Sequence, residues 1–102
     1  MAVLELSKNN LDLVKNSDKK VLIDLYADWC GPCRMVSPIV DEIAEENPQY
    51  LVAKVNVDKE PELASAFGVS SIPMLVVMKN GEIVNSSIGA QPKARILALL
   101  ED

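Results

Sequence analysis

Hydrophobic and polar positions change their period several times along this chain, and each change predicts an element. Val3, Leu4 and Leu6 predict a short opening strand. Leu11, Leu13 and Val14 predict a helix capped by Asn9 or Asn10 and ended by the turn chemistry of Asn16-Ser17-Asp18. Val21 to Ala27 is apolar at nearly every position, as a central strand covered on both faces must be, and Asp24 interrupts it. Helical spacing takes over from Cys33: Val36, Ile39, Val40, Ile43 and Ala44 share one face, while Asp41, Glu42, Glu45 and Glu46 read as its solvated side. Pro38 removes one hydrogen bond inside this helix and predicts a kink; Asn47-Pro48 ends it.

Alternation returns over Leu51 to Val57, with Ala53, Val55 and Val57 opposite Lys54, Asn56 and Asp58. Pro61 opens a short helix carrying Leu63, Ala64 and Phe67, and Gly68 stops it. Met74 to Met78 and Glu82 to Ile88 flank Asn80-Gly81, a strong hairpin signal that predicts two antiparallel strands. Pro92 opens a last helix that packs Ile96, Leu97, Leu99 and Leu100 on the sheet. The order β-α-β-α-β-α-β-β-α predicts an α/β fold, with crossover units, a terminal hairpin and helices on both faces of a mixed sheet. No linker or repeat divides the chain, so residues 1–102 read as one domain.

Composition narrows the partners. A chain of 102 residues builds one core without staples, and 49% hydrophobic with 25% charged residues is ordinary for a globular protein. A formal charge of −5 argues against nucleic acid or an anionic membrane surface and leaves other proteins as partners. Met1-Ala2-Val3-Leu4-Glu5 has no basic region or long apolar run, and no stretch approaches the ~20 apolar residues that span a bilayer. A cytoplasmic location is therefore expected, and a monomer, since nothing in the pattern calls for an obligate dimer.

The chemistry concentrates in Trp29-Cys30-Gly31-Pro32-Cys33, which holds both cysteines and the one tryptophan, between the Val21 strand and the following helix. Residues i and i+3 in a first helical turn lie about 5 to 6 Å apart, within the about 4.4 to 6.8 Å that a disulfide bridges between Cα atoms. Pro32 suits that first turn, and unpaired N–H groups at a helix start favour a thiolate, which makes Cys30 at the tip the expected nucleophile. Other readings stay open on spacing alone. A structural disulfide closing so short a loop contributes only about 2 kcal/mol. A zinc site needs four ligands, and the chain has two cysteines and no histidine. Two inert buried cysteines fit poorly with Gly-Pro between them. Asp24, mid-strand, is either a desolvated acid suited to proton exchange or a residue on a solvated face; Leu22 and Tyr26 favour burial. Lys54, by alternation, reads as a surface lysine.

The Trp-Cys-Gly-Pro-Cys block resembles the active-site motif of thioredoxins. The likeness continues through Val21-Leu-Ile-Asp24, Pro38, Ala53-Lys54-Val-Asn56-Val-Asp58, Ile72-Pro73, Lys79-Asn80-Gly81 and Ile88-Gly89-Ala90. It implies a thioredoxin fold, a five-stranded sheet in the order 1-3-2-4-5 flanked by four helices. It also implies a protein disulfide reductase in which Cys30 attacks and Cys33 resolves, with Asp24 helping to deprotonate Cys33 and Lys54 near that aspartate. Ile72-Pro73 is expected to be a cis bond opposite the cysteines, and Trp29, Gly31, Pro32, Ile72, Pro73, Gly89 and Ala90 a docking face for extended substrate. The implied partners are disulfide-containing proteins and a recycling thioredoxin reductase, with no bound cofactor and no metal. Gly-Pro between the cysteines, with no histidine, favours a reductant over an oxidase or isomerase. A non-catalytic adaptor using the same face is the alternative. Met74, Met78 and Ser70-Ser71 depart from the commonest family pattern near the docking face or the core.

Overall fold

The apolar run around Asp24 becomes the middle of a sheet. The structure, a computed structural model, describes residues 3–101; Met1, Ala2 and Asp102, which the single-domain reading includes, lie outside the described residues. The elements are β1 (Val3–Glu5), α1 (Asp12–Lys15), β2 (Lys20–Tyr26), α2 (Gly31–Glu46), β3 (Tyr50–Asn56), α3 (Pro61–Ala66), β4 (Met74–Lys79), β5 (Glu82–Ile88) and α4 (Lys93–Glu101). The strands line up as β1-β3-β2-β4-β5, the order that the resemblance implies. β3 runs parallel to β1 and β2, whereas β4 runs antiparallel to β2 and β5.

Alternate residues of the central strands feed two cores. Val21, Ile23 and Leu25 of β2 join Ala53, Val55 and Val76 under α1 and α3, which contribute Val14, Leu63 and Ala64. Leu22 joins Val52, Leu75 and Val77 under α2 and α4, which contribute Val36, Val40, Ile43, Ile96 and Leu100. Covering both faces is what a parallel β2–β3 pair requires. It also overturns the surface reading of one half of β3: Lys54 and Asn56 are buried, because β3 is second in the sheet and α2 packs over that face. The edge strand β5 behaves oppositely and leaves Ile83, Val84 and Ile88 exposed.

The local signals act with two differences. Asn80 and Gly81 take φ of 54° and 82°, as the tight turn between β4 and β5 demands, and a Cβ on Gly81 would meet the Lys15 carbonyl at 3.2 Å. Pro61 sits in the first turn of α3, and α2 runs on through Pro38. α1, however, has only four residues, and Leu11 rather than an asparagine is its cap. Asn10 closes the preceding loop instead: its Oδ1 accepts the Ser7 N–H at 2.7 Å and its Nδ2 donates to the Glu5 carbonyl. Leu13 accordingly faces solvent, since so short a helix buries only Val14.

Ile43 is fully buried between α2 and the sheet. Ile43→Ala is expected to cost about 2 to 5 kcal/mol by removing apolar contact and leaving a cavity. The urea midpoint falls accordingly while the slope of the transition stays unchanged.

Candidate active site

β2 ends at Tyr26, and α2 begins at Gly31, so the chain turns from sheet to helix in four residues. Cys30 is the N-cap of α2, in extended conformation at φ −87° and ψ 110°, and Pro32 occupies the first turn, where its missing N–H has no intrahelical partner to lose. The Cys33 N–H donates to Cys30 Sγ at 3.2 Å. The sulfur therefore does what a serine or aspartate oxygen does at other helix starts, and the same N–H and helix dipole favour negative charge on it. Cys30 and Cys33 are paired as a disulfide, with Cα atoms 5.3 Å apart.

The sequence placed Cys30 at a tip; the structure places it under one. Cys30 is 4% exposed and Cys33 2%, while the adjacent Trp29 is 69% exposed. Cys30 Sγ lies 4.0 Å from the Ile72 carbonyl oxygen, beside the cis Ile72–Pro73 peptide. The residues expected to form a docking face are distributed over two hollows and the proline turn. Trp29 and Ile72 line an open groove of about 430 Å³ with Val57, Val69, Ser70 and Ser71. The Gly89 N–H donates to the Pro73 carbonyl at 2.8 Å, with Gly89 at φ 94°, and so ties the end of β5 to the proline turn. Ala90 is exposed and lines a second, smaller hollow of about 260 Å³ with Met35, Ile39 and Pro92. Gly31 is half-buried, Pro32 exposed and Pro73 buried.

On β2, Asp24 is 1% exposed, and neither of its oxygens has a hydrogen-bond partner among the described residues. Burial pushes its pKa from 3.8 up to about 6, against the opposing pull of Lys54. A carboxyl that titrates there is about nine-tenths ionised at pH 7 and is still a competent base for a thiol proton. Lys54 is its register partner on β3 and shares its face of the sheet. The lysine is 9% exposed and its Nζ reaches α2, donating to Ser37 Oγ at 2.5 Å and pairing with Asp41 Oδ1 at 2.9 Å. Tyr26, on the same face, donates its hydroxyl to Glu5 Oε1 at 2.8 Å, and burial together with that carboxylate raises its pKa to about 12.

Three residues of this site carried no functional expectation. Asp58 Oδ2 accepts the Trp29 indole N–H at 2.8 Å and fixes the ring's orientation beside the groove. Ser37 and Asp41 hold Lys54, though Asp41 had been grouped with a solvated acidic face. Each contact joins elements far apart in sequence, and alternation along one strand or helix does not report it.

Comparison with known proteins agrees with this geometry. The family model described as Thioredoxin matches residues 2–102. Thioredoxin from Alicyclobacillus acidocaldarius subsp. acidocaldarius is 45% identical over 102 residues, covering 99% of this chain and 97% of that protein. Thioredoxin from Pyropia yezoensis is 50% identical over 88 residues, 85% of this chain and 82% of the relative. Among solved structures, a point-mutant thioredoxin from Halobacterium salinarum superposes with a TM-score of 0.90 at 41% identity, over 97% of this chain and 88% of the other.

Proposed function

The chain belongs to the thioredoxin family, and from that premise we propose that it is a protein disulfide reductase in which Cys30 attacks, Cys33 resolves and Asp24 takes the proton. The observation that carries this reading is the position of Cys30: its sulfur caps α2 and lies 4.0 Å from the carbonyl of Ile72, a residue that lines an open groove with Trp29.

In the reduced protein the Cys30 thiolate is stabilised by the Cys33 N–H and the dipole of α2. An extended substrate segment lies in the groove beside Trp29 and pairs with the backbone at Ile72, which brings its disulfide to Cys30. Cys30 Sγ bonds to one substrate sulfur, the substrate S–S bond breaks, and the other sulfur leaves as a thiolate that picks up a proton. Cys33 then passes its proton towards Asp24 and attacks Cys30 Sγ. The mixed disulfide breaks, the second substrate sulfur leaves and is protonated, and Cys30–Cys33 closes. Two electrons and two protons have moved to the substrate. The 5.3 Å between the Cα atoms suits the closed pair.

A thioredoxin reductase returns the disulfide to the dithiol, so the chain carries electrons between that enzyme and its protein substrates without binding a cofactor of its own. Such a cycle operates in a reducing compartment, which supports the cytoplasm as its location. The two cores are filled within one chain, which supports a monomer. Among the described residues no helix is long and apolar enough to cross a membrane.

The test is catalytic reduction of insulin disulfides with dithiothreitol as the electron source. The protein at substoichiometric concentration is expected to accelerate insulin precipitation severalfold over dithiothreitol alone. No acceleration by fully folded protein would leave the adaptor reading in its place.

A further inference from the structure

Lys54 stands beside Asp24 in the β2–β3 ladder, yet its ammonium is bound elsewhere. Its Nζ donates to Ser37 Oγ at 2.5 Å and pairs with Asp41 Oδ1 at 2.9 Å. Ser37 and Asp41 are four residues apart on α2, so they present their oxygens from one side of that helix. Both Asp24 oxygens are buried with no hydrogen-bond partner among the described residues. A desolvated carboxylate and an adjacent ammonium normally compensate one another, because each is costly alone. Here the helix holds the ammonium back. Ser37 also lines, with Tyr26, Arg34 and Cys33, a cavity of about 190 Å³, so the tether borders the resolving sulfur.

We propose that Ser37 and Asp41 are positioning residues that hold Lys54 against α2, leave Asp24 free to accept a proton, and so set the pH range in which the Cys33 step runs. This inference rests on the disulfide-reductase reading of the site. The charged and titratable groups around Asp24 are Lys54 on β3, Asp41 on α2, Glu5 on β1 and Tyr26 further along β2. β4 presents Leu75 in register with Asp24. Releasing the tether lets Lys54 turn to Asp24, and an opposite charge within hydrogen-bonding reach lowers a carboxyl pKa. The acid limb of Cys33 resolution then moves to lower pH, and its plateau rate falls because the base is weaker.

The test follows the Asp24 carboxyl by ¹³C NMR through an acid-to-neutral titration of the reduced protein, with the pH profile of mixed-disulfide resolution beside it. The Asp41 side chain is 55% exposed, so Asp41→Asn keeps the fold. In that variant the Asp24 midpoint is expected to fall from about 6 to about 5, at low and at high salt alike. Ser37→Ala, which alters no charge, shifts it in the same direction. In a Lys54→Met background Asp41→Asn is expected to retain only the direct Coulomb part of the shift, since Asp41 raises the Asp24 pKa slightly by its own charge and otherwise acts through the lysine. An unchanged midpoint in Asp41→Asn, an equal shift without Lys54, or a shift abolished by salt overturns the inference, the last two because they indicate direct Coulomb repulsion. No shift in Ser37→Ala overturns the tether at Ser37. The carboxyl titration needs no turnover, so a protein that fails to reduce insulin sinks the reductase reading separately.

Discussion

Cys30→Ser is expected to abolish disulfide reduction, lowering turnover on the order of a thousandfold or more, while Cys33→Ser is expected to stop the cycle half-way. The two cysteines differ in what surrounds them. Cys30 Sγ accepts the Cys33 N–H and lies 4.0 Å from the carbonyl of the groove-lining Ile72, so it combines a stabilised thiolate with a place next to the groove. A serine there keeps the cap hydrogen bond and loses the nucleophile. Cys33 is 2% exposed, sits inside the first turn of α2 and borders a different cavity, with Tyr26, Arg34 and Ser37. Its loss leaves the first attack intact and removes the thiol that would displace the substrate. Incubation with oxidised insulin and non-reducing mass spectrometry check both: a covalent adduct accumulates with Cys33→Ser and none forms with Cys30→Ser. The reverse pattern would assign the attack to Cys33.

Asp24→Asn is expected to make the protein more stable at pH 7 and slower at resolving its mixed disulfide. The folded pKa of Asp24 is raised from 3.8 to about 6, chiefly by burial. Between those values the folded state binds more protons than the unfolded state, so stability falls as pH rises through this window and levels off above it. Carrying the ionised carboxylate at pH 7 therefore costs about 3 kcal/mol. Asparagine, similar in shape and uncharged, removes that cost and flattens this part of the stability–pH curve. It also removes the base, and resolution at pH 7 slows on the order of a hundredfold. Urea unfolding at about pH 4 and pH 7 reads the first effect: the variant gains stability chiefly at pH 7, and an equal gain at both would show that the carboxyl's ionisation is not the cause. On the proposed mechanism, stability is thus given up at the position that receives the Cys33 proton.

Most of the architecture was legible because its signals are local or periodic. The β2 run, the α2 stripe from Val36 to Ala44 and the Asn80-Gly81 turn each state their structure in a short window. The strand order and the cis bond at Ile72–Pro73 came from likeness to a family, since neither has a periodic signature. What the pattern misread were positions decided by tertiary neighbours. Lys54 alternates like a surface residue, but α2 lies over its face and supplies Ser37 and Asp41 as partners. Asp41 belongs to an acidic row, yet it is the member that reaches a buried ammonium. Leu13 fits a helical stripe but faces solvent on a helix of four residues. Asp58 alternates outward from the end of β3 and meets Trp29 across a loop. The cysteine pair itself was plain from five consecutive residues. That Cys30 lies beneath the surface rather than on it depended on where the Ile72 turn packs.

The central claim is that the Cys30–Cys33 couple is a reductant, and equilibrium titration in defined thiol–disulfide buffers tests it most directly, with the fluorescence of Trp29 as the signal. The account predicts a reversible two-electron couple near −270 mV, the value that characterises thioredoxins as a family. A midpoint near −180 mV, typical of disulfide isomerases and about 4 kcal/mol more oxidising, or the absence of any reversible couple, would contradict it.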